Sequence, residues 1–281
     1  MDGTVRAKYD ELRGLMASLG SVVVAYSAGV DSTLVLRVAR DVLGDRVVAA
    51  TGLSDTYPEE EMAEARALAA ELGVRHVMVR TEELTDPRYA MNSHQRCFFC
   101  KQELYGKLRE VADEHGLEHI VDGTNADDLG DHRPGLRAAR ERGVRSPLQE
   151  VGFTKEEIRA LSSELGLRTW DKPAFACLSS RFPYGTPITL TALRQVADGE
   201  RAMRRLGFRG FRVRHHDTVA RLEVDVADFN RVLEHHDEIV AALQAVGYRY
   251  VALDLQGYRR GSLNEVLGDK VRRAGTPAAG D

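Results

Sequence analysis

The sequence predicts an α/β protein: a doubly wound parallel sheet followed by a smaller C-terminal α+β domain. Short β-branched runs alternate with amphipathic helical runs in the N-terminal half, as in a parallel sheet covered by helices. After Tyr184 the order changes to helix, strand, strand, helix, strand. The 281 residues also exceed an average single domain. We therefore expect a first domain at 1–184, a second at 185–270 and a disordered tail at 271–281.

In the first domain, the predicted strands are "SVVVAY", "DRVVAAT", "VRHVMVR" and "LEHIVDG". The predicted helices are "KYDELRGLMASLG", Asp31–Leu43, Pro58–Leu72, Phe99–Glu114 and Thr154–Leu165. Thr154 and Glu157 have the spacing of a capping box. In the second domain, "TLTALRQVADGERAMRRLG" and Phe229–Val246 are predicted helices, and "FRGFRVRHH", "VARLEVDV" and "YRYVALDLQ" are predicted strands.

Composition excludes several classes of protein. The net charge of −4 argues against a general electrostatic grip on nucleic acid. The N-terminus is charged and lacks the apolar core of a signal peptide, and no apolar run is long enough to span a bilayer. We therefore expect a cytoplasmic protein with neither a nucleic-acid nor a membrane partner.

A small-residue loop joins the first predicted strand to a helix in "VVVAYSAGVDSTLVLRVAR". Small residues let backbone approach an anion, and the amides at a helix start point toward it. The loop resembles the SGGxDS motif of the PP-loop ATP pyrophosphatases, with Ala28 in place of the first glycine, where a positive φ is costly. The resemblance implies ATP binding by Ser27, Ala28, Gly29, Val30, Asp31, Ser32 and Thr33.

An acidic loop, "GTNADD", follows another predicted strand. We therefore expect it at the carboxyl edge of the sheet, where ligands of α/β proteins bind. Asp127 and Asp128 suit a Mg²⁺ ion that carries ATP phosphates, because Mg²⁺ needs few carboxylates. Thr124 and Asp127 are further candidates for ATP binding.

Three cysteines are present: Cys97 and Cys100 in "HQRCFFCK", and Cys177 in "AFACLSSRFPYG". A CxxC pair in a reducing compartment is more often metal-binding or redox-active than structural. The residues alone leave a thiol pair, an iron–sulfur site and a structural Zn²⁺ held with His94 all open.

Four segments together resemble one family over nearly the whole chain: "SAGVDSTLV", "GTNADDLGDHRPG", "DKPAFACLSSRFPYGTPIT" and "RVRHHDTVARLEVD". The family comprises the ATP-dependent sulfur-insertion enzymes that make the nickel-pincer cofactor of lactate racemase. The resemblance implies adenylation of a carboxylate on pyridinium-3,5-biscarboxylic acid mononucleotide, followed by sulfur transfer. It also suggests a homo-oligomer that works beside the other enzymes of cofactor synthesis.

In one subgroup of this family, the cysteine matching Cys177 gives up its own sulfur. A second subgroup uses three cysteines to hold a [4Fe-4S] cluster, and Cys97, Cys100 and Cys177 match that subgroup. The resemblance further implies catalytic roles for Cys177, Asp31, Ser180 and Arg181, and substrate binding by Ser180, Arg181, Arg212 and Arg214. Glu200, Glu223 and Asp225 are candidate metal or substrate contacts.

Two alternative activities stay open: a PP-loop tRNA thiolase and an amide-forming synthetase such as NAD synthetase. The absence of a basic RNA surface in the sequence weakens the first, and the second has no need of cysteine. His215 and His216 invite a nickel site, but adjacent strand residues face opposite ways and are poor joint ligands.

Overall fold

The computed structural model describes residues 2–130, 134–173, 176–259 and 261–267. They form two compact units. The first unit contains residues 2–83, 97–130 and 134–173, and the second contains residues 84–96, 176–259 and 261–267. Segment 84–96 therefore leaves the first unit and belongs to the second, although the chain returns to the first unit directly afterwards.

The strands are β1 (Val22–Ala25), β2 (Val47–Leu53), β3 (Arg75–Arg80), β4 (His119–Val121), β5 (Phe211–His216), β6 (Val219–Val224) and β7 (Tyr250–Leu253). The helices are α1 (Gly3–Leu19), α2 (Val30–Leu43), α3 (Glu59–Glu71), α4 (Pro87–Ala90), α5 (Arg96–Glu114), α6 (Pro134–Glu141), α7 (Pro147–Glu150), α8 (Lys155–Glu164), α9 (Leu190–Arg205), α10 (Phe229–Glu234) and α11 (His236–Ala245).

The first unit is built on a parallel sheet in the order β3-β2-β1-β4. The strand order reverses at β1, so the loops after β1 and β4 leave the sheet side by side at its carboxyl edge. Such a reversal is the usual ligand site of an open α/β sheet. The two loops singled out in the sequence both start there.

Burial explains why β1 reads as a continuous apolar run. Val22, Val23 and Val24 are all fully buried, since helices cover both faces of a parallel sheet. On one face, Leu34 and Leu12 from α2 and α1 pack into the larger core cluster. Leu108 from α5 lies in the core cluster of the opposite face.

The second unit has a three-stranded sheet in which β6 pairs antiparallel with β5 and parallel with β7. Helices α9 and α11 pack on it around Met203, Val213 and Leu243. This sheet holds the two arginines of the "RVRHH" run at alternating positions, Arg212 and Arg214, on β5.

The predicted fold class is confirmed: a parallel α/β sheet followed by a smaller second sheet. Thr154 and Glu157 form the predicted capping box of α8. Helix α5 starts at Arg96 rather than Phe99, so the CxxC lies inside the helix. The predicted helix Phe229–Val246 is two helices, α10 and α11, that meet at His235.

The domain boundary after residue 184 stays a prediction, and the predicted tail 271–281 lies outside the described residues. Within the described ranges, no helix is both long and apolar enough to cross a bilayer.

Candidate active site

The loop after β1 leads directly into the amino-terminal end of α2. Gly29 is the N-cap residue and offers no side chain to cap the helix, so backbone amides dominate this end. Ser27 and Ser32 bridge the loop, with 3.1 Å between their hydroxyl oxygens, and the Ser27 amide donates to Ser32 Oγ. Amides at a helix start, with hydroxyls beside them, form an anion site.

Ala28 occupies the left-handed region, with a φ of 55°, and is fully buried. An alanine there costs about 1 kcal/mol relative to glycine. The surrounding loop holds this conformation against the strain, as happens at functional sites. The SGGxDS motif that this loop resembles has glycine at this position. The conformational cost expected for Ala28 from the sequence therefore corresponds to a positive φ in the structure.

Gly123, just after β4, lies against the first turn of α2. A Cβ atom on Gly123 would lie 2.8 Å from the Ser32 amide nitrogen and 3.1 Å from the carbonyl carbon of Asp31. Only glycine therefore allows the β4 loop to approach the glycine loop this closely.

Asp122 organises the acidic loop from a buried position. Its carboxylate accepts hydrogen bonds from Tyr105 Oη at 2.9 Å, Ser146 Oγ at 2.8 Å and Thr124 Oγ1 at 3.0 Å. Burial, and then the Asp122 charge, raise the pKa of Tyr105 far above its ordinary value, so that the phenol stays a donor. Thr124 is thereby fixed beside the candidate ATP site.

Asp31 is linked to this acidic loop. Its carboxylate accepts from Lys155 Nζ at 2.5 Å and from Asn125 Nδ2 at 3.3 Å. The backbone amide of Lys155 donates to Asp127 Oδ2 at 2.8 Å, so one lysine contacts both carboxylates. Asp127 is exposed, whereas Asp128 is buried and accepts from the Asn125 amide.

These carboxylates fit a Mg²⁺–nucleotide. Within each unit, the described residues contain no group of three or more His, Cys, Asp or Glu side chains that could hold a metal ion. Magnesium keeps several waters and uses one or two carboxylates together with substrate phosphates. An exposed Asp127 near an amide-rich helix start meets that requirement.

The three cysteines are divided between the units. Cys97 and Cys100 lie in the first two turns of α5 in the first unit, and Cys177 lies in the second unit. Cys97 is exposed, and Cys100 and Cys177 are half-buried. As a donor set, accessible thiols suit soft metals such as iron in clusters or zinc.

Cys177 precedes a 3₁₀ turn, Leu178–Arg181, as its N-cap residue. Its carbonyl accepts from the Ser180 amide and from Arg181 Nη1, both at 3.0 Å. The same Nη1 donates to Ser180 Oγ at 2.9 Å and to the Ala176 carbonyl at 2.5 Å. Arg181 therefore holds the backbone on both sides of the thiol.

Arg181 is itself fully buried and paired. Its guanidinium makes a two-pronged ion pair with Glu200, at 2.7 and 2.9 Å. Glu200 is also buried and accepts from the Val213 amide, which ties the Cys177 turn to α9 and β5. Such fork-to-fork pairs are geometrically specific.

A second buried pair joins the adjacent strands of the same unit. Arg214 donates to Glu223 at 2.8 Å and to the Ser180 carbonyl at 2.6 Å. Arg221 also contacts Glu223, at 3.1 Å. Asp225 lies beyond the end of β6, is exposed, and caps the Ala227 amide. Glu200 and Glu223 are thus bound by arginines, and Asp225 lies apart from them.

Arg212 lies two residues before Arg214 and is less buried. Its guanidinium stacks 4.9 Å from the Tyr258 ring centroid and donates to the Tyr258 hydroxyl at 3.2 Å. Burial, and then repulsion from Arg181, lower its pKa. Arg212 lies near the positive charges of Arg181 and Arg214. An anionic ligand would reduce the repulsion between them, so this position favours an anion.

His215 and His216 have separate surroundings. His215 packs beside Phe182, and its Nδ1 lies 3.2 Å from Tyr248 Oη. His216 Nε2 instead accepts from Arg221. The pair shares no ligand position, as expected for neighbours on a strand.

Several residues of these sites were missed by the sequence analysis: Tyr89, Asn92, Arg96, Asp122, Asn125 and Lys155. One signal pointed to Lys155, since a lysine in the first turn of a helix opposes the helix dipole. Asparagine is one of the residues that tolerate a positive φ, and Asn92 has a φ of 54°. Nothing in the sequence, however, indicates that segment 84–96 belongs to the second unit.

Comparisons with known proteins show which proteins this chain is similar to. Residues 7–114 match the NAD synthase family. An uncharacterized protein of Synechocystis sp. is 45% identical over 94% of this chain and 99% of its own length. The pyridinium-3,5-bisthiocarboxylic acid mononucleotide synthase of Lactiplantibacillus plantarum is 41% identical over 94% of this chain and 96% of its own length. A solved NMN synthetase from Francisella tularensis covers 60% of this chain and 75% of its own, with 16% identity and a TM-score of 0.48.

Identity of 41% over nearly both full lengths includes both units, and therefore both the glycine loop and the Cys177 turn. The chain is thus an enzyme, as predicted, of the ATP-dependent sulfurtransferase type within the PP-loop ATP pyrophosphatases. It belongs to the family of the pyridinium-3,5-bisthiocarboxylic acid mononucleotide synthases.

Proposed function

We propose that this enzyme uses ATP to adenylate a carboxylate of pyridinium-3,5-biscarboxylic acid mononucleotide and then replaces the activated oxygen with sulfur. The observation that carries the proposal is the full-length similarity to a synthase named for the bisthiocarboxylic acid mononucleotide. The product would serve as precursor of the nickel-pincer cofactor of lactate racemase, supplied to the other enzymes of that synthesis.

In the first step, a substrate carboxylate oxygen attacks the α-phosphorus of ATP, and pyrophosphate leaves. The helix start after Gly29 and the hydroxyls of Ser27 and Ser32 support binding of the leaving phosphates. Asp31, Asp127 and Asp128 would bind the Mg²⁺ that neutralises developing charge. Lys155 Nζ donates to the Asp31 carboxylate, and this hydrogen bond would break when Asp31 binds the metal ion.

In the second step, a sulfur nucleophile attacks the acyl carbon of the adenylate and AMP leaves. We assign substrate positioning to Ser180 and Arg181 and phosphate binding to Arg212 and Arg214, which lie together in the second unit. The arginines would balance the negative charge of the mononucleotide. Glu200 and Glu223 would act indirectly, because each fixes an arginine through a buried ion pair.

A [4Fe-4S] cluster held by Cys97, Cys100 and Cys177 would supply the sulfide that is transferred, leaving the protein intact between turnovers. If only Cys177 were used, its own sulfur would be consumed. The presence of the CxxC favours the first arrangement.

The test is anaerobic incubation of the reconstituted enzyme with ATP, Mg²⁺, sulfide and the biscarboxylate mononucleotide. We expect pyrophosphate release together with a product heavier by the sulfur–oxygen mass difference. Cys177→Ala should abolish the thiocarboxylate. In a parallel incubation with ammonium in place of sulfide, an amidated product that Cys177→Ala forms equally well would support an amide-forming synthetase. Thionucleosides lost from tRNA in a deletion strain would support a tRNA thiolase.

A further inference from the structure

Segment 84–96, hereafter the strap, belongs to the second unit although it connects β3 and α5 of the first. Its backbone is tied into that unit at two points. The Ile188 amide donates to the Ala90 carbonyl at 2.8 Å, and the Gly185 amide donates to the Asn92 carbonyl at 3.0 Å. The strap is therefore an integral part of the structure around the Cys177 turn.

Asn92 shapes the strap at a fully buried position. Its backbone has a φ of 54°, in the left-handed region that asparagine tolerates better than most residues. Its Nδ2 donates to the Pro183 carbonyl at 2.7 Å. Its Oδ1 accepts from Arg96 Nη1. Asn92 thus holds both the segment after the Cys177 turn and the guanidinium of Arg96.

Arg96 extends this contact to the turn itself. The same Nη1 donates to the Ser179 carbonyl at 2.7 Å, and the guanidinium carbon lies 5.6 Å from the Tyr184 ring centroid. Arg96 is 2% exposed. A second strap residue, Tyr89, hydrogen-bonds the Ser179 hydroxyl at 2.6 Å. Ser179 lies two residues after Cys177, within the turn Leu178–Arg181. Two residues of the strap therefore hydrogen-bond to the middle of this turn.

Arg96 is also the first residue of α5, and Cys97 is the next residue of the chain. The buried guanidinium of Arg96 hydrogen-bonds to Asn92 in the strap and to Ser179 in the turn. Burying such a charge costs free energy, and its hydrogen bonds fix the relative positions of the two segments. We propose that Arg96 is a positioning residue that fixes the Cys177 turn for sulfur transfer. This inference rests on the proposed function, although its structural part can be tested without it.

The structural test is residue-resolved hydrogen exchange on the full-length protein and on Arg96→Met and Arg96→Lys. Methionine keeps the volume of the stem but removes the donors, whereas lysine keeps a cation able to donate to both Asn92 and Ser179. The reporting amides are Ser180 and Phe182, which donate to the Cys177 and Ser179 carbonyls within the turn.

In Arg96→Met we expect these two amides to exchange about tenfold faster, the equivalent of one charge-assisted hydrogen bond. Amides of α1 should be unchanged, and Arg96→Lys should restore most of the protection. Arg88→Met is the matched control, because Arg88 lies in the same strap but is exposed and pairs locally with Asp86. Unchanged exchange at Ser180 and Phe182, or an equal rise in α1, would overturn the proposal.

The functional test compares thiocarboxylate formation and pyrophosphate release in the same variants. We expect Arg96→Met to lower kcat for sulfur transfer about tenfold or more, with an unchanged KM for ATP. Wild-type kcat in Arg96→Met would overturn the inference. If the wild-type enzyme itself formed no thiocarboxylate, the proposed function would fail, and the exchange data would still decide the role of Arg96 in the turn.

Discussion

Gly123→Ala tests whether the two loops at the carboxyl edge of the sheet depend on close backbone contact. The added Cβ would lie 2.8 Å from the Ser32 amide nitrogen, and 3.1 Å from both the carbonyl carbon and the Cβ of Asp31. Because the first two are backbone atoms, no side-chain rotation relieves the overlap. The β4 loop and the first turn of α2 have to separate by a few tenths of an ångström.

Overpacking of this kind costs about 2 kcal/mol, which lowers Tm by about 5 °C in a protein of this size. The displacement moves the amides that we assign to phosphate binding. We therefore expect the Kd for ATP to rise about tenfold or more, beyond what the loss of stability alone would cause.

Thermal unfolding and calorimetric titration with Mg²⁺–ATP measure these two effects. Gly14→Ala is the matched control, since nothing lies within 4 Å of its Cβ position in the exposed face of α1. There alanine should stabilise the helix by about 0.5–1 kcal/mol and leave ATP binding alone. A Gly123→Ala protein with wild-type Tm and wild-type Kd would refute the argument.

Three further predictions concern the second unit and the cysteines. Glu223→Gln leaves the buried Arg214 without its counter-charge and should lower the free energy of unfolding, measured by denaturant, by about 3 kcal/mol. The control Glu265→Gln, at an exposed position, should leave the denaturation midpoint unchanged. Equal shifts of the midpoint in the two variants would contradict this prediction. Burial lowers the pKa of His215. The unfolded chain therefore binds more protons than the folded protein below about pH 6.5, and the free energy of unfolding falls as the pH drops. In His215→Phe the free energy of unfolding should depend less on pH in this range, and a pH dependence equal to that of the wild type would contradict the prediction. Anaerobic reconstitution should give about four irons per chain and fewer in Cys97→Ser, while a colourless protein with one zinc would exclude the cluster.

The fold class and the glycine loop could be predicted because their signals are local. A β-branched run such as β1, followed by small residues and a helix, reports strand, turn and helix within a few neighbouring residues. The Thr154–Glu157 capping box is equally local, and the structure contains it. The family resemblance supplied Cys177, Arg181 and the other candidate residues, whose roles stay predictions.

Long-range partners could not be predicted in this way. Lys155 follows Asp31 by 124 residues, and Arg96 precedes Ser179 by 83. Nothing near either residue in the chain indicates its partner. The same holds for Glu200 and Glu223, since a buried ion pair and a solvated charge look alike in sequence.

The sequence by itself determined a parallel α/β sheet with an anion loop, a second small sheet and three cysteines, because periodicity and motif spacing are properties of neighbouring residues. Only the tertiary structure decided which carboxylates are bound by arginine, which glycine permits close backbone approach, and that segment 84–96 belongs to the second unit. The physical reason is that burial and hydrogen-bond pairing arise when distant segments pack together. Their free energies depend on that packing and on no local pattern.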